Sequence, residues 1–273
     1  MKKIISLILA CMLCLGLFAA CGTAEPAATN TPETTGAAAS FTTVEEGKLI
    51  MATNAAFPPY EYLEENTIVG IDAEIAKAIA DKLGLELVID DMEFDSIIES
   101  VKGGKADIGL AGMTVTEERL EEVNFTASYA TGVQVIIVTE DSAITSVDDL
   151  FADGASTKIG VQRNTTGDLY TTWDLEETGK ATIDRYSKGA DAVQALKTGK
   201  VDCVVIDNEP AKAFVDAVEG LKILETEYIQ EQYAAAMSKD NTALYEAVDA
   251  ALQELIADGT VKGIIEKYIP AEQ

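Results

Sequence analysis

The residues Gly112-Met113-Thr114-Val115-Thr116-Glu117-Glu118-Arg119 bring two hydroxyls and a guanidinium to the expected start of a helix. An apolar run, Ile108 to Met113, ends just before Thr116, two acids follow, and apolar spacing resumes at Leu120 and Val123, so Thr116 reads as an N-cap. Arg119 then takes the third helical position, where Glu or Gln would close a capping box and where a cation opposes the positive end of the helix dipole. A guanidinium fork, a threonine hydroxyl and free first-turn N–H groups converging on one point make a receptor for a small carboxylate or phosphate. The same spacing suits an Arg119 paired with Glu122 on an ordinary helix surface, and the octet alone leaves both readings open.

The elements that must position this octet belong to an alternation of strand-like and helix-like segments from Glu45 onward, which predicts an α/β fold. Lys48 to Thr53 reads as a strand, Ile71 to Leu83 as an amphipathic helix stopped by Gly84, and Leu85 to Ile89 as a strand again. Phe94 to Val101 carries the i, i+3, i+4, i+7 pattern of a helix that stops at Gly103-Gly104. Val101-Lys102-Gly103-Gly104-Lys105-Ala106-Asp107-Ile108 then echoes in Leu196-Lys197-Thr198-Gly199-Lys200-Val201-Asp202-Cys203, 95 residues on. Either helix-glycine-strand junctions have converged, or the chain holds two lobes of similar architecture. In the second case Gly112, at the end of one strand, corresponds to Asp207 at the end of the other.

Ligands of open α/β sheets gather at the carboxyl ends of the strands. One lobe would present Thr114, Thr116 and Arg119 there and the other Asp207, so that an anion receptor faces a carboxylate. An α-amino acid, with its carboxylate and ammonium, satisfies both. Asp207 fits equally well as the N-cap of a helix around Pro210 to Val218. Tyr129 to Val133 and Ile229 to Tyr233 would be two crossings between lobes, a hinge suited to closure, and the helical patterns Thr242 to Ala257 and Val261 to Tyr268 would return to the first lobe.

Composition narrows the chemistry. The chain contains no histidine, which removes Ser-His and Cys-His catalysis and the usual metal ligands, and calls for no cofactor or metal. Met1-Lys2-Lys3 and the apolar Ile4 to Ala20 read as a secretory leader, and Leu17-Phe18-Ala19-Ala20-Cys21 resembles a lipoprotein signal, with lipidation expected at Cys21. Residues 21–44, rich in Ala, Thr, Gly, Pro and Glu, read as a flexible tether from a membrane surface. Loss of Lys2 and Lys3 with the leader takes the formal charge from −27 to −29, which disfavours nucleic acid and anionic headgroups as partners. Cys203, inside an apolar strand-like run, reads as inert core.

Four motifs in order, Ala52 to Tyr62, Val69 to Ala76, Gly112 to Arg119 and Gly160 to Gly167, resemble the family 3 extracellular solute-binding proteins, the polar amino-acid receptors of bacterial ABC importers. The resemblance runs from Glu45 to Ile269 and implies a two-lobed periplasmic-binding-protein fold of type II. Its lobes would be residues 45–128 plus 234–273, and 134–228, with the hinge at 129–133 and 229–233. It implies that Arg119 grips the ligand α-carboxylate, helped by the Thr116 amide and by Thr166 from the other lobe. It also implies that Asp207 takes the α-ammonium with the Gly112 carbonyl and Thr114 hydroxyl, that Phe57 and Phe94 sandwich the side chain, and that Asn54 and Gln162 line its far end. On packing alone Phe57 and Phe94 would be core. The implied partners are an amino acid and the permease and ATPase of an ABC importer, for a monomer anchored to the outer face of the cell membrane. Asn164 departs from the family's usual glycine, a change that suits a left-handed backbone, and Ile206 adds no polar group beside Asp207.

The neutral Asn54 and Gln162 point to an uncharged polar amino acid such as glutamine or cystine, although Glu61, Glu231 or Asp168 could supply an acid to a basic one. Cyclohexadienyl dehydratases and a lytic transglycosylase domain look like this family, but no general acid beyond Asp207 is suggested, so a binding protein is expected rather than an enzyme. A sensory binding protein is a third reading.

Overall fold

The computed structural model describes residues 41–270, so the expected leader, Cys21 and most of the tether lie outside the described residues. Two mixed sheets organise the chain. In the first, Lys48–Thr53 lies between Glu86–Asp91 and Ile108–Gly109, parallel to both, and Ala236–Met237 and Asn124–Phe125 extend the sheet antiparallel. In the second, Ala181–Tyr186, Thr157–Gln162 and Cys203–Asp207 run parallel, and the ten-residue strand Ala130–Thr139 lies antiparallel beside Cys203–Asp207. A small antiparallel sheet, Ala56–Phe57, Glu61–Glu64 and Thr67–Val69, caps the first lobe.

A strand covered on both faces must be apolar at consecutive positions, and the side-chain period of two sorts them. Leu49 and Met51 join Ile71, Ile75 and Ile79 of the helix Ile71–Leu83, whereas Ile50 and Ala52 join Ile97 and Val101 on the opposite face. Ile71, Ile75 and Ile79 are fully buried, and each contributes about 1.5–3 kcal/mol of burial. The second sheet repeats the scheme, with Val204 and Ile206 facing Val193 and Leu196, and Cys203 and Val205 facing Leu150 and Leu175. Cys203 is therefore core, and burial pushes its thiol far above the usual range. The helices Thr242–Ala257 and Thr260–Tyr268 pack back on the first lobe, through Leu244, Val248 and Val261 against the Ile71–Leu83 helix cluster.

The echoed octets are one structural device used twice. Gly104 and Gly199 both adopt left-handed backbone, φ 66° and 70°, a conformation glycine enters without steric penalty. The Lys105 and Lys200 N–H groups close the same turn onto Ser100 and Ala195 carbonyls at 2.9 Å. Asp107 and Asp202 then clamp the neighbouring strand: Oδ2 of each accepts an N–H at 2.8 Å, from Ile50 and Lys158. A turn glycine alone does not demand this clamp, so the repeat marks two lobes built alike. It also aligns Asn54 with Gln162, each four residues beyond the clamped residue of its strand.

One local expectation changes. Phe94 does not sit in a continuous α-helix; Phe94–Ser96 form a 3₁₀ turn ahead of the helix Ile97–Lys102, and the Phe94 ring packs on the edge of the Ile97 and Val101 cluster while also meeting Arg119. The chain passes between sheets twice, where Ile229–Tyr233 pairs antiparallel with the start of Ala130–Thr139, Gln230 opposite Val133 and Gln232 opposite Thr131. On its other edge the same strand meets the first lobe, since the Val115 and Ala234 N–H groups bond to the Gln232 and Met113 carbonyls at 3.2 and 3.1 Å.

Candidate functional site

The carboxyl ends of the central strands of both sheets face each other across a narrow cavity. Seven of the ten residues expected from sequence line it: Asn54, Phe57, Phe94 and Gly112 from the first lobe, and Gln162, Thr166 and Asp207 from the second. Thr114 lies just behind, its hydroxyl 2.6 Å from that of Thr166 and donating to Glu231 Oε2 at 2.6 Å. Because the Thr114 proton is committed to Glu231, Thr166 is the donor in the pair, and this bond ties the lobes together.

Thr116 is the N-cap of the helix Glu117–Glu122, its Oγ1 accepting the Arg119 N–H at 3.1 Å. Arg119 stands beside the cavity rather than in its lining, buried between Phe94 and Asn164. Its Nη1 donates to the Thr114 carbonyl at 2.8 Å, its Nη2 donates to the Asn164 carbonyl of the other lobe at 2.7 Å, and its guanidinium lies 5.5 Å from the Phe94 ring centre. The surface pairing with Glu122 does not form, because Lys102 takes Glu122 instead. Burial draws Arg119 down to about 10, with the Glu231 carboxylate opposing, which leaves it charged at neutral pH. Two bonds use two of its five N–H donors.

Asp207 is the helix cap that its position allowed, and it also lines the cavity. Oδ1 caps the helix Asn208–Ala217 by accepting the Glu209 N–H at 3.0 Å, and Oδ2 accepts the Tyr233 hydroxyl at 2.6 Å and the Val133 N–H at 3.2 Å. Burial, reinforced by the charge of Glu231, raises its carboxyl to about 7 against the pull of those donors. Close approach of backbone makes the Tyr233 bond possible: a β-carbon on Gly132 would stand 2.4 Å from the Tyr233 hydroxyl and 2.7 Å from Asp207 Oδ2.

Asn54 and Gln162, expected to serve the far end of a ligand, are committed to each other: Gln162 Nε2 donates to Asn54 Oδ1 at 2.9 Å, and Asn54 Nδ2 donates to the Met92 carbonyl at 2.7 Å. Of the three acids considered, Glu61 and Glu231 line the cavity. Asp168 is spent elsewhere, on the Asn164 N–H and on Arg185 at 2.8 Å each. Among the described residues neither Glu61 oxygen finds a hydrogen-bond partner, and burial together with the charge of Asp72 holds its carboxyl well above the usual range. Asp72 supports the cavity wall from behind, accepting the Gly112 N–H and the Tyr129 hydroxyl at 2.8 Å, and burial raises it to about 6.

Sequence reasoning passed over Gln134 and Tyr233. Gln134 donates to Glu231 Oε1 at 2.6 Å, and its own Oε1 has no hydrogen-bond partner among the described residues. The signal for Tyr233 was period two, since Glu231 and Tyr233 alternate along the second crossing and therefore share a face, whereas Gln134 lies on the other crossing strand and had none. Among the described residues no three His, Cys, Asp or Glu side chains are arranged to hold a metal ion.

The model of the bacterial extracellular solute-binding proteins, family 3, matches residues 49–271. The chain belongs to that family. It is a solute-binding protein rather than an enzyme, and relatives include an ABC transporter arginine-binding protein of Escherichia coli (strain K12). The chain is 33% identical to the arginine-binding extracellular protein ArtP of Bacillus subtilis (strain 168) over 229 residues, 83% of this chain and 88% of that one. Among solved structures, an ancestral arginine-binding protein bound to arginine superposes with a TM-score of 0.75 at 37% identity, covering 81% of this chain and 98% of that one. An ancestral arginine-binding protein bound to glutamine gives 0.74 at 38% identity, with 82% and 98% covered. The two-lobed fold is that of these structures.

Proposed function

We propose that this protein captures a basic L-amino acid, arginine foremost, by closing its two lobes and delivers it to an ABC importer. The observation that carries the reading is the pair of carboxyl groups, Asp207 and Glu231, facing one cavity that has a single guanidinium, Arg119, beside it. Burial and the charge of Asp72 both disfavour the ionised form of Glu61, so Asp207 and Glu231 are the acids to be matched. If Arg119 takes the ligand α-carboxylate, a neutral side chain leaves one buried acid without a counter-charge, whereas an α-ammonium plus a guanidinium matches both. Tyr233 stands between the two acids, its hydroxyl 2.6 Å from Asp207 and 3.2 Å from Glu231, so their charges act on one small volume. The Asn54–Gln162 bond removes much of the amide capacity on which an uncharged ligand was expected, and the arginine named for ArtP and the ancestral protein agrees with a basic one.

In this reading Arg119 and Thr166 hold the carboxylate, Asp207, Gly112 and Thr114 the ammonium, and Phe57 and Phe94 the aliphatic stem. The crossings at 129–133 and 229–233 act as the hinge between 45–128 plus 234–273 and 134–228, and Cys21 carries the lipid anchor on the outer face of the membrane. A thermal-shift screen of the twenty amino acids, ornithine and cystine tests the specificity, since a ligand of the native state alone raises the midpoint. L-arginine should give the largest shift, and a larger one from L-glutamine would return the assignment to the uncharged class. Mass spectrometry of the mature N-terminus tests the anchor, and a free amine on an unmodified Cys21 would remove it.

A further inference from the structure

The Arg119–Asn164 bond closes the cleft on a residue whose backbone is not self-supporting. Asn164 has φ 60°, the left-handed region that few residues other than glycine enter readily, and its carbonyl is what Arg119 Nη2 meets from the opposite lobe at 2.7 Å. That conformation is held from behind. Asp168, at the third position of the helix Thr166–Thr171, reaches back to the Asn164 N–H at 2.8 Å, a variant of the capping box. Its other oxygen accepts Arg185 Nε at 2.8 Å, and Arg185 is in turn spread over Thr172 Oγ1 and Glu176 Oε2, both at 2.7 Å. Asp168 is 4% exposed, and neither it nor Arg185 lines the cavity. Arg163, the residue before Asn164, also faces the first lobe, with Nη1 3.4 Å from Asp95.

We propose that Asp168 and Arg185 are positioning residues of the closed cleft: together they fix the left-handed turn at Asn164 so that its carbonyl is aimed at Arg119, and they thereby set how long a captured amino acid is retained. Neither touches the ligand. The chain of bonds runs from the outer face of the second lobe, through Arg185, Asp168 and the Asn164 peptide, to the guanidinium beside the cavity. Loss of a link lets Asn164 relax to right-handed or extended backbone, which swings its carbonyl away and leaves Arg119 one acceptor short. Opening then becomes faster, while encounter with the open cleft is unchanged.

The test is stopped-flow kinetics with L-arginine and, in parallel, L-glutamine, since the two share the α-carboxylate and ammonium. Asp168→Ala should speed dissociation by about tenfold and leave association within about twofold, because interactions formed after encounter act on the off-rate. Asn164→Gly alone should change little, and adding it to Asp168→Ala should recover part of the lost retention, because glycine enters the left-handed turn without the steric penalty that asparagine bears there. Arg185→Met, on a partly exposed side chain, should give a smaller increase in the same direction, so the proposal does not depend on one variant folding. Wild-type protein that takes L-glutamine and not L-arginine would overturn the proposed specificity and leave this test intact on glutamine. Independently of any ligand, amide exchange at Asn164 should be slow in wild type and fast in Asp168→Ala. Equal exchange, unchanged dissociation in both Asp168→Ala and Arg185→Met, or an increase that Asn164→Gly does not reduce would each overturn the proposal.

Discussion

Replacing Asp207 by asparagine separates what the carboxylate does for the ligand from what it does to the fold. The native carboxyl titrates near 7 and an unfolded one near 3.8. Between those values the native state holds a proton that the unfolded state has lost, so stability falls as pH rises through the window and stays at its lower level above 7. Three pH units correspond to about 4 kcal/mol, an upper figure for the penalty of the buried charge at pH 8. The substituted side chain would keep the cap to Glu209, because asparagine and aspartate cap equally well. Its amide nitrogen would face Tyr233, whose hydroxyl can turn to accept it and donate to Glu231 Oε1, 3.2 Å away. The Val133 N–H would lose its acceptor, at about 1–2 kcal/mol. The net expectation is a gain of about 2–3 kcal/mol in the ligand-free protein at pH 8, a rise of roughly 5–10 °C in midpoint for a domain of this size. The gain should vanish by pH 4, and binding of L-arginine should be lost. Differential scanning calorimetry at pH 4, 6 and 8, with and without about 1 mM L-arginine, measures all three. A ligand-free Asp207→Asn protein less stable than wild type at pH 8, or one still shifted by L-arginine, would refute the account of Asp207 as a carboxylate kept ionisable for an ammonium.

Three further outcomes are expected. Arg119→Ala should abolish binding of every amino acid by calorimetry, and a dissociation constant within a few-fold of wild type would mean that the carboxylate is held elsewhere. Glu231→Gln should weaken L-arginine by more than about tenfold while changing L-glutamine by less than about threefold, since it removes a charge and keeps the side-chain shape; equal losses for both would point to a structural role. Gly132→Ala should destabilise the protein by about 1–3 kcal/mol in chemical denaturation, because its β-carbon would overlap the Tyr233 ring and Asp207. An unchanged denaturation midpoint would show that the paired strands can widen at that point.

Much of the scaffold was legible because it follows from period and punctuation. Ile71–Leu83 begins and ends where its stripe and Gly84 place it, and Lys48–Thr53 is apolar at each buried position up to Ala52 because both its faces are covered. Phe94 follows the helical stripe onto the Ile97 and Val101 cluster, and its second place, in the cavity lining, could not be read from periodicity because it depends on the facing lobe. The candidate site divided in the same way. Thr116 as a cap and Asp207 at a strand end follow from local pattern and the echoed octet. Gln134 and Tyr233 did not stand out, because each lies in a strand that looks structural until the other crossing is laid beside it.

Read alone, the chain of residues determined the α/β alternation, the duplicated strand ends and the caps Thr116 and Asp207, since each depends on spacing within a segment or on its repetition. Tertiary structure decided which groups remain available to a ligand. It paired Asn54 with Gln162, consumed Asp168 on Asn164 and Arg185, and set Glu231 beside Asp207 through Tyr233. The physical reason is that hydrogen bonds saturate. A side chain's capacity is shared among all the neighbours that folding brings to it, and segments 108 residues apart, those of Asn54 and Gln162, become neighbours only when the two sheets face each other.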